Sequence, residues 1–299
     1  MKALAAKRYC DHVTNSATGP NALATELEMR MRYRGFMLAF PLVLLLVTPV
    51  LAEDDPRWSL STSVNYSVGD YGTGKDTTLI YVPFTLGVTP LERLTVSLTV
   101  PYIRQTTQTV VFTGGGVAVR RNQKNQLNTP TQSNVTQTED GLGDLLLKAS
   151  FIVLPEQTLA PEIAPYLKIK FPTADESRGL GTGEFDETLG VDLSKRLFDR
   201  WFGYVSVAYT FIGSPPGEDL RNTFGWSVGA AYAVLQPLSV FAFIDGNTAI
   251  ARGQADPVEL RVGAEYKLFK ALKLTGSVTR GLTNGAANWG VSTGLALRF

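Results

Sequence analysis

The sequence has one cysteine and one histidine in 299 residues, Cys10 and His12, and neither type recurs afterwards. A single cysteine cannot form an intrachain disulfide, so no disulfide scaffold is encoded. From residue 53 onward, thiol redox chemistry, Cys/His zinc sites and catalysis by an imidazole base have no residues to carry them. Charge is also sparse. Asp, Glu, Lys and Arg make up 18% of the chain, against roughly 25% in an average soluble domain. The 28 basic and 27 acidic groups leave a formal charge of +1, which provides no field for nucleic acid. Long hydrophobic runs are missing too. The longest, Phe36 to Val47, is interrupted by Pro41 and falls short of the roughly 20 residues that a bilayer-spanning helix needs. After residue 55 no amphipathic helical period appears.

The short apolar run has a different reading. Arg30, Arg32 and Arg34 precede it, Val50-Leu51-Ala52 offers a cleavage site, and Glu53, Asp54 and Asp55 follow. This is the layout of a secretion signal, so residues 29–52 are expected to be a cleaved signal peptide. Residues 1–28 then read as an over-extended start, with Met29 or Met31 the natural initiator. Residues 53–299 are expected to form one domain, since no linker-like stretch divides them.

What that domain has in abundance is alternation. Trp58, Leu60, Val64, Tyr66 and Val68 share one face of an extended chain, and Ser59, Ser61, Ser63, Asn65 and Ser67 share the other. This period of two is that of a strand. Eleven further runs follow, at roughly 77–88, 93–104, 142–154, 162–172, 187–196, 201–212, 222–234, 238–246, 258–267, 272–281 and 288–299. Connections alternate between short ones, as around Thr89-Pro90 and Gln236-Pro237, and longer ones rich in Gly, Asn, Asp and Pro. Twelve strands with alternating short and long links predict an all-β, antiparallel up-and-down transmembrane barrel with both termini periplasmic. A secreted soluble β-protein with its apolar faces turned inward is the alternative.

Charge placement supports lipid as the outer solvent. The polar phase carries Asp144, Lys148, Lys168, Lys170, Asp192, Asp245, Glu259, Arg261, Glu265, Lys267, Lys273 and Arg298, while the apolar phase carries charge only at strand ends, at Arg104, Lys195 and Arg280. A basic residue on the lipid face costs about 2–4 kcal/mol at mid-membrane and about 0–1 near the interface. Trp58, Trp201, Trp226 and Trp289 all fall on the apolar phase near strand ends, as interfacial girdles require. The expected location is the outer membrane of a Gram-negative bacterium, with lipid and lipopolysaccharide around the barrel.

Twelve strands suit a narrow conduit, between the filled interior of eight and the open channel of sixteen. Candidate lumen-lining residues are Asp144, Lys148, Tyr166, Lys168, Lys170, Asp192, Tyr204, Glu259, Arg261, Glu265, Lys267, Lys273 and Arg298, with Tyr81, Phe241 and Phe243 as further aromatic steps. No catalytic residue is assigned and no enzyme activity is expected. Asp144 and Asp192 are the only carboxylates considered for catalysis, and balancing lumen lysines suits them better. No cofactor and no metal are expected. The stretch Gly179 to Gly183 lacks the lysine and helix of a phosphate-binding loop and reads as a flexible outer loop. Its neighbours Asp175, Glu176, Glu184, Asp186 and Glu187 leave open a hard divalent ion such as calcium. The longest connection, about Gln105 to Gly141, holds Gly114 to Gly116 with Arg120, Arg121 and Lys124, and either folds inward as a constriction or faces solvent.

Two stretches resemble a known family. Gly141-Leu142-Gly143-Asp144 is similar to its G-x-G-D strand opening. Lys168-Ile169-Lys170-Phe171-Pro172-Thr173, followed by the Gly179 to Gly183 loop, is similar to its K-x-P-T segment, although Ala174 stands where a glycine commonly follows. An alternating last strand ending in Phe299 resembles the signal read by the barrel insertion machinery. Over most of residues 57–299 the chain resembles the outer-membrane transporter family named for the meta-pathway of phenol degradation. The resemblance implies a barrel that passes a small solute, aromatic or hydrophobic compounds included. The alternative is a structural or adhesive surface barrel acting through its long outer loop.

Overall fold

Alternation of this kind leaves each strand with one apolar and one polar face, and a sheet closing on itself satisfies both while leaving no edge unpaired. The computed structural model describes residues 57–71, 76–106, 110–113, 116–119 and 138–299. The strands are β1 (Trp58–Gly69), β2 (Thr77–Leu91), β3 (Leu94–Gln105), β4 (Val110–Thr113), β5 (Gly116–Val119), β6 (Glu139–Leu142), β7 (Leu145–Phe151), β8 (Glu162–Phe171), β9 (Asp186–Phe198), β10 (Trp201–Ile212), β11 (Thr223–Ala233), β12 (Leu238–Asn247), β13 (Val258–Lys267), β14 (Leu272–Gly281) and β15 (Trp289–Arg298). Among the described residues, β6 and β7 lie end to end along β3 and together make one stave. Twelve staves therefore close into a single antiparallel barrel, with β15 returning to pair with β1. The seam is double-stitched. The Trp58 N–H donates to the Phe299 carbonyl at 2.8 Å, and the Phe299 N–H donates to the Trp58 carbonyl at 2.9 Å. Among the described residues β4 and β5 pair with each other, as a small ribbon between β3 and β6.

Two expectations from the sequence are corrected here. The chain does not reverse at Thr89-Pro90. β2 continues to Leu91 with a register shift between Val88 and Leu91, because proline has no N–H for the ladder and is accommodated as an irregularity. The fourth stave is also not continuous. Pro101 of β3 has no N–H to give, and the Gly143 N–H donates instead to the Pro101 carbonyl at 2.8 Å, so the ladder breaks at Gly143-Asp144. The proposed signal at 29–52, the stretch 1–28 and the residues Gly114, Gly115, Arg120, Arg121 and Lys124 lie outside the described residues.

Large apolar side chains of the outward phase are exposed all round the wall, including Leu98, Val205, Val228, Val262 and Val291. A soluble barrel would bury these, and hydrocarbon is the medium that matches them. Aromatic groups mark both ends of the band. Trp201 packs on Tyr232 at 4.9 Å near the end that holds Trp58 and Phe299, and Trp289 packs on Tyr66 at 5.5 Å near the opposite end. One outward-phase charge, Lys195, has a counter-charge beside it, Glu156 at 3.5 Å. The Lys195 ammonium donates to the carbonyls of Gln157, Thr158 and Ala160 in the β7–β8 turn. The Glu156 carboxylate accepts from the Arg196 N–H at 2.9 Å, the main cause of its lowered pKa.

Candidate functional site: the barrel lumen

The inward phase of neighbouring strands is in register, so lumen side chains form rows across the wall. Several rows consist of paired charges. Near the loop end, the Lys170 ammonium lies 2.9 Å from Asp144 Oδ2, 3.3 Å from Asp186 Oδ2 and 2.8 Å from Thr182 Oγ1. The side chains of Lys170 and Asp144 are only 2% and 4% exposed. The other oxygens are used as well, since Asp144 Oδ1 accepts the Ala174 N–H and Asp186 Oδ1 accepts the Gly213 N–H, each at 2.9 Å. Buried charge persists only when paired and hydrogen-bonded throughout, and this cluster meets that condition.

Its purpose in the architecture is to hold the segment between β8 and β9 inside the barrel mouth. A short 3-10 turn, Glu176–Arg178, is capped by Asp175, whose carboxylate accepts from the Ser177 N–H at 3.0 Å and the Ser177 hydroxyl at 2.6 Å. The Ser177 hydroxyl bond is the leading reason that the Asp175 carboxyl is held below its ordinary range. The turn ends on Gly179 in the left-handed region, φ 71°, where glycine carries no steric penalty. Leu180 then points inward and is 1% exposed, packing with Leu79 of β2 and Ile103 of β3. Arg178 Nε donates to Glu139 Oε2 at 2.8 Å, and Gln105 Nε2 donates to the Gly179 carbonyl at 3.0 Å. Gly181 is required by contact, since a Cβ there would lie 2.7 Å from Asp144 Oδ2.

The glycine stretch is therefore docked, which corrects its reading as a flexible outer loop. The five acidic residues around it are not gathered for a divalent ion. Asp186 is withdrawn to Lys170 and Asp175 is turned to its own cap. Among the described residues no group of three or more acidic, His or Cys side chains is placed to hold a metal.

Deeper along the wall, Lys148 lies 3.3 Å from Asp192 and 3.9 Å from the centre of the Tyr166 ring. Asp192 also accepts the Ser206 hydroxyl at 2.7 Å. On the far side Arg261 bonds both oxygens of Asp245 at 3.0–3.3 Å, and the Ser227 hydroxyl reaches Asp245 at 2.6 Å. Lys273 meets Glu265 at 2.7 Å. Lys267 stands opposite Lys273, and Arg298 opposite Ser59, at the terminal end.

From the outer half of β14 through β15 to β1 the wall is built differently, from Ser277, Gly290, Gly294, Ser61, Ser63 and Ser67. It borders a cavity of about 660 Å³ that Glu259 and Arg261 also reach. Two smaller cavities follow the opposite wall. One of about 360 Å³ lies beside Tyr204 and Phe243, and one of about 200 Å³ lies beside Tyr166 and Lys168. At the loop end Tyr71 is 5% exposed and shares a hydrogen bond of 3.1 Å with the Ser67 hydroxyl. Burial, with a smaller contribution from Glu259, holds its phenol above the usual range despite that bond.

The sequence-derived candidates thus fall into three groups. Asp144 and Lys170 are buried beneath the inward segment and do not border an open lumen, contrary to expectation. Lys148, Tyr166, Lys168, Asp192, Tyr204, Glu259, Arg261, Glu265 and Lys273 are on lumen-phase positions within the wall, and Lys267 and Arg298 are on its rim. Missed by sequence reasoning were Thr182, Leu180 and Asp186 as members of the mouth cluster, and the glycines that seat lumen aromatics. Gly190 stands opposite Tyr166, and Gly229 opposite Phe243, with no room for a Cβ under either ring. A glycine opposite an aromatic on the same strand face was the available signal.

A profile of the family described as the MetA-pathway of phenol degradation matches residues 87–299. No curated protein matches the sequence. Among solved structures, an outer membrane channel from Pseudomonas putida F1 superimposes with a TM-score of 0.63 at 15% identity, covering 85% of this chain and 100% of that one. The NanC porin superimposes with a TM-score of 0.51 at 9% identity, covering 80% of this chain and 100% of that one. At such identities the likeness is one of fold.

Proposed function

Because the chain belongs to the family of the MetA-pathway of phenol degradation, we propose that it is an outer-membrane channel or transporter for a small solute, with aromatic and hydrophobic compounds in its range. The observation that carries this reading is the lumen itself. Inside a closed, lipid-facing wall lie cavities of about 660, 360 and 200 Å³, bordered by hydroxyls, paired charges and aromatic rings. A purely structural barrel has no use for such space and would fill it with packed side chains. The deeper lumen pairs Lys148–Asp192, Arg261–Asp245 and Lys273–Glu265 are each balanced one to one, which suits passage of a neutral solute better than selection by net charge.

On this reading residues 29–52 are a signal peptide and the termini face the periplasm. Phe299 is the contact for the insertion machinery, and the chain is not an enzyme. Lys148, Tyr166, Lys168, Asp192, Tyr204, Glu259, Arg261, Glu265 and Lys273 line the route. Protein refolded into planar lipid bilayers is expected to give discrete single-channel currents, and liposomes carrying it are expected to swell in a solute-dependent way. Currents and swelling equal to those of empty membranes would overturn the reading.

A further inference from the structure

One hydrogen-bonded row of the wall places Glu162, Ser194, Tyr204, Gly229 and Phe243 side by side on five successive strands, β8 to β12. Tyr204 and Phe243 are 5.8 Å apart between ring centres and inclined by 38°, and Phe241 continues the strip 5.8 Å beyond Phe243. The strip depends on two glycines. A Cβ on Gly229 would collide with the Phe243 ring, and one on Gly263 with the Phe241 ring, so both rings lie against the wall. Tyr204 and Phe243 border the 360 Å³ cavity, whose polar edge is formed by Glu162, Asp192 and Ser206. The nearby cations are already engaged, Lys148 by Asp192, and Arg261 by Asp245 and, at 5.0 Å, by the Phe243 ring.

We infer that this row is a solute subsite selecting planar aromatic compounds that bear a neutral hydrogen-bond donor such as a hydroxyl, and disfavouring aromatic carboxylates. It rests on the channel reading and deepens it. The rings offer a solute its preferred stacked or edge contact, worth about 0.5–1.5 kcal/mol per aromatic pair. Asp192 is offset by Lys148, which leaves Glu162: its ionised carboxylate is an acceptor only, so a hydroxyl satisfies it and a second carboxylate is repelled. A saturated alcohol keeps the hydroxyl contacts but has no π face.

Three probes separate these contributions in a planar-bilayer recording with the full barrel: resorcinol, cyclohexane-1,3-diol and benzoate. Resorcinol is expected to interrupt the current with residence times about two- to tenfold longer than cyclohexane-1,3-diol, and benzoate with the shortest. Phe243→Leu and Tyr204→Leu should each erase the difference between resorcinol and the diol. Glu162→Gln should lengthen the benzoate events. Gly229→Ala, which leaves every aromatic in place, should also reduce the resorcinol preference by displacing the Phe243 ring. Heat-dependent gel mobility reports which variants fold, and the two leucine variants test the same strip independently. Equal residence of resorcinol and the diol in the wild type, or a preference that survives both leucine variants, overturns the subsite while the conducting barrel stands. A wild-type barrel that passes no current overturns the channel reading and the subsite together.

Discussion

Lys170 and Asp144 meet at 2.9 Å with less than 5% of either side chain exposed, and this pair ties the fourth stave to the fifth, β8, at the point where the inward segment leaves β8. Removing the lysine leaves Asp144 and Asp186 buried together without a counter-charge. Breaking a buried pair from one side costs about 3–5 kcal/mol. Lys170→Met is therefore expected to undock residues 173–185, raise single-channel conductance and lower the thermal unfolding temperature. Adding Asp144→Asn should recover part of the lost stability, and a double-mutant cycle on unfolding temperature checks the coupling.

Leu180 supplies the apolar half of the same dock. Truncating it to alanine removes contacts with Leu79 and Ile103 at a cost of about 2–5 kcal/mol if the site does not collapse. Because the loss falls on a connection between strands and not on the hydrogen-bonded ladder, Leu180→Ala should raise protease sensitivity between Thr173 and Phe185 while leaving the barrel's unfolding midpoint nearly unchanged. Limited proteolysis followed by mass analysis reads this directly.

Acid should release the segment only late. The Asp175 carboxyl, held below its ordinary value by its bonds to Ser177, contributes stability that is complete above the ordinary carboxylate range and disappears as pH falls through the lowered value. A spin label at Glu184→Cys should accordingly stay immobile at mildly acidic pH and loosen only below the usual aspartate range. In Asp175→Asn that acid-dependent contribution should be absent.

The two faces of β10 differ by one residue in sequence and by solvent in space. Val205→Arg puts charge against hydrocarbon and should cost about 2–4 kcal/mol if it lies near the midplane, whereas Ser206→Arg points to the lumen beside Asp192 and should cost far less. Urea unfolding in lipid vesicles measures the difference. Equal costs at the two positions would mean that water, not lipid, surrounds the barrel.

Most of the architecture was legible because a strand's side-chain period is fixed at two, so a sequence such as Trp58 to Val68 declares its own faces. The breaks were less legible. Gly143 hides the interruption of the fourth stave because it contributes no side chain to either phase, and the cause, Pro101, sits on a neighbouring strand. The mouth cluster was legible only in pieces. Gly141 to Asp144, Lys168 to Thr173 and Gly179 to Gly183 stood out as motifs, but what unites them is an ammonium shared by Asp144 and Asp186, carboxylates 42 residues apart in a chain whose periodicity reports only local geometry. Asp186 was visible as one of several acidic residues, and nothing local distinguished the one that would be buried.

The seam between Trp58 and Phe299 carries a consequence for biogenesis. Its two hydrogen bonds join the first stave to the last residue, so no nascent or C-terminally shortened chain owns a complete ring. Until the final stave arrives, both margins of the growing sheet stay open to strand addition by any neighbour. The contacts that end this exposure join residues 58 and 299, a long-range pairing that is slow to form. Chaperoning of the unfinished sheet is thus written into the topology.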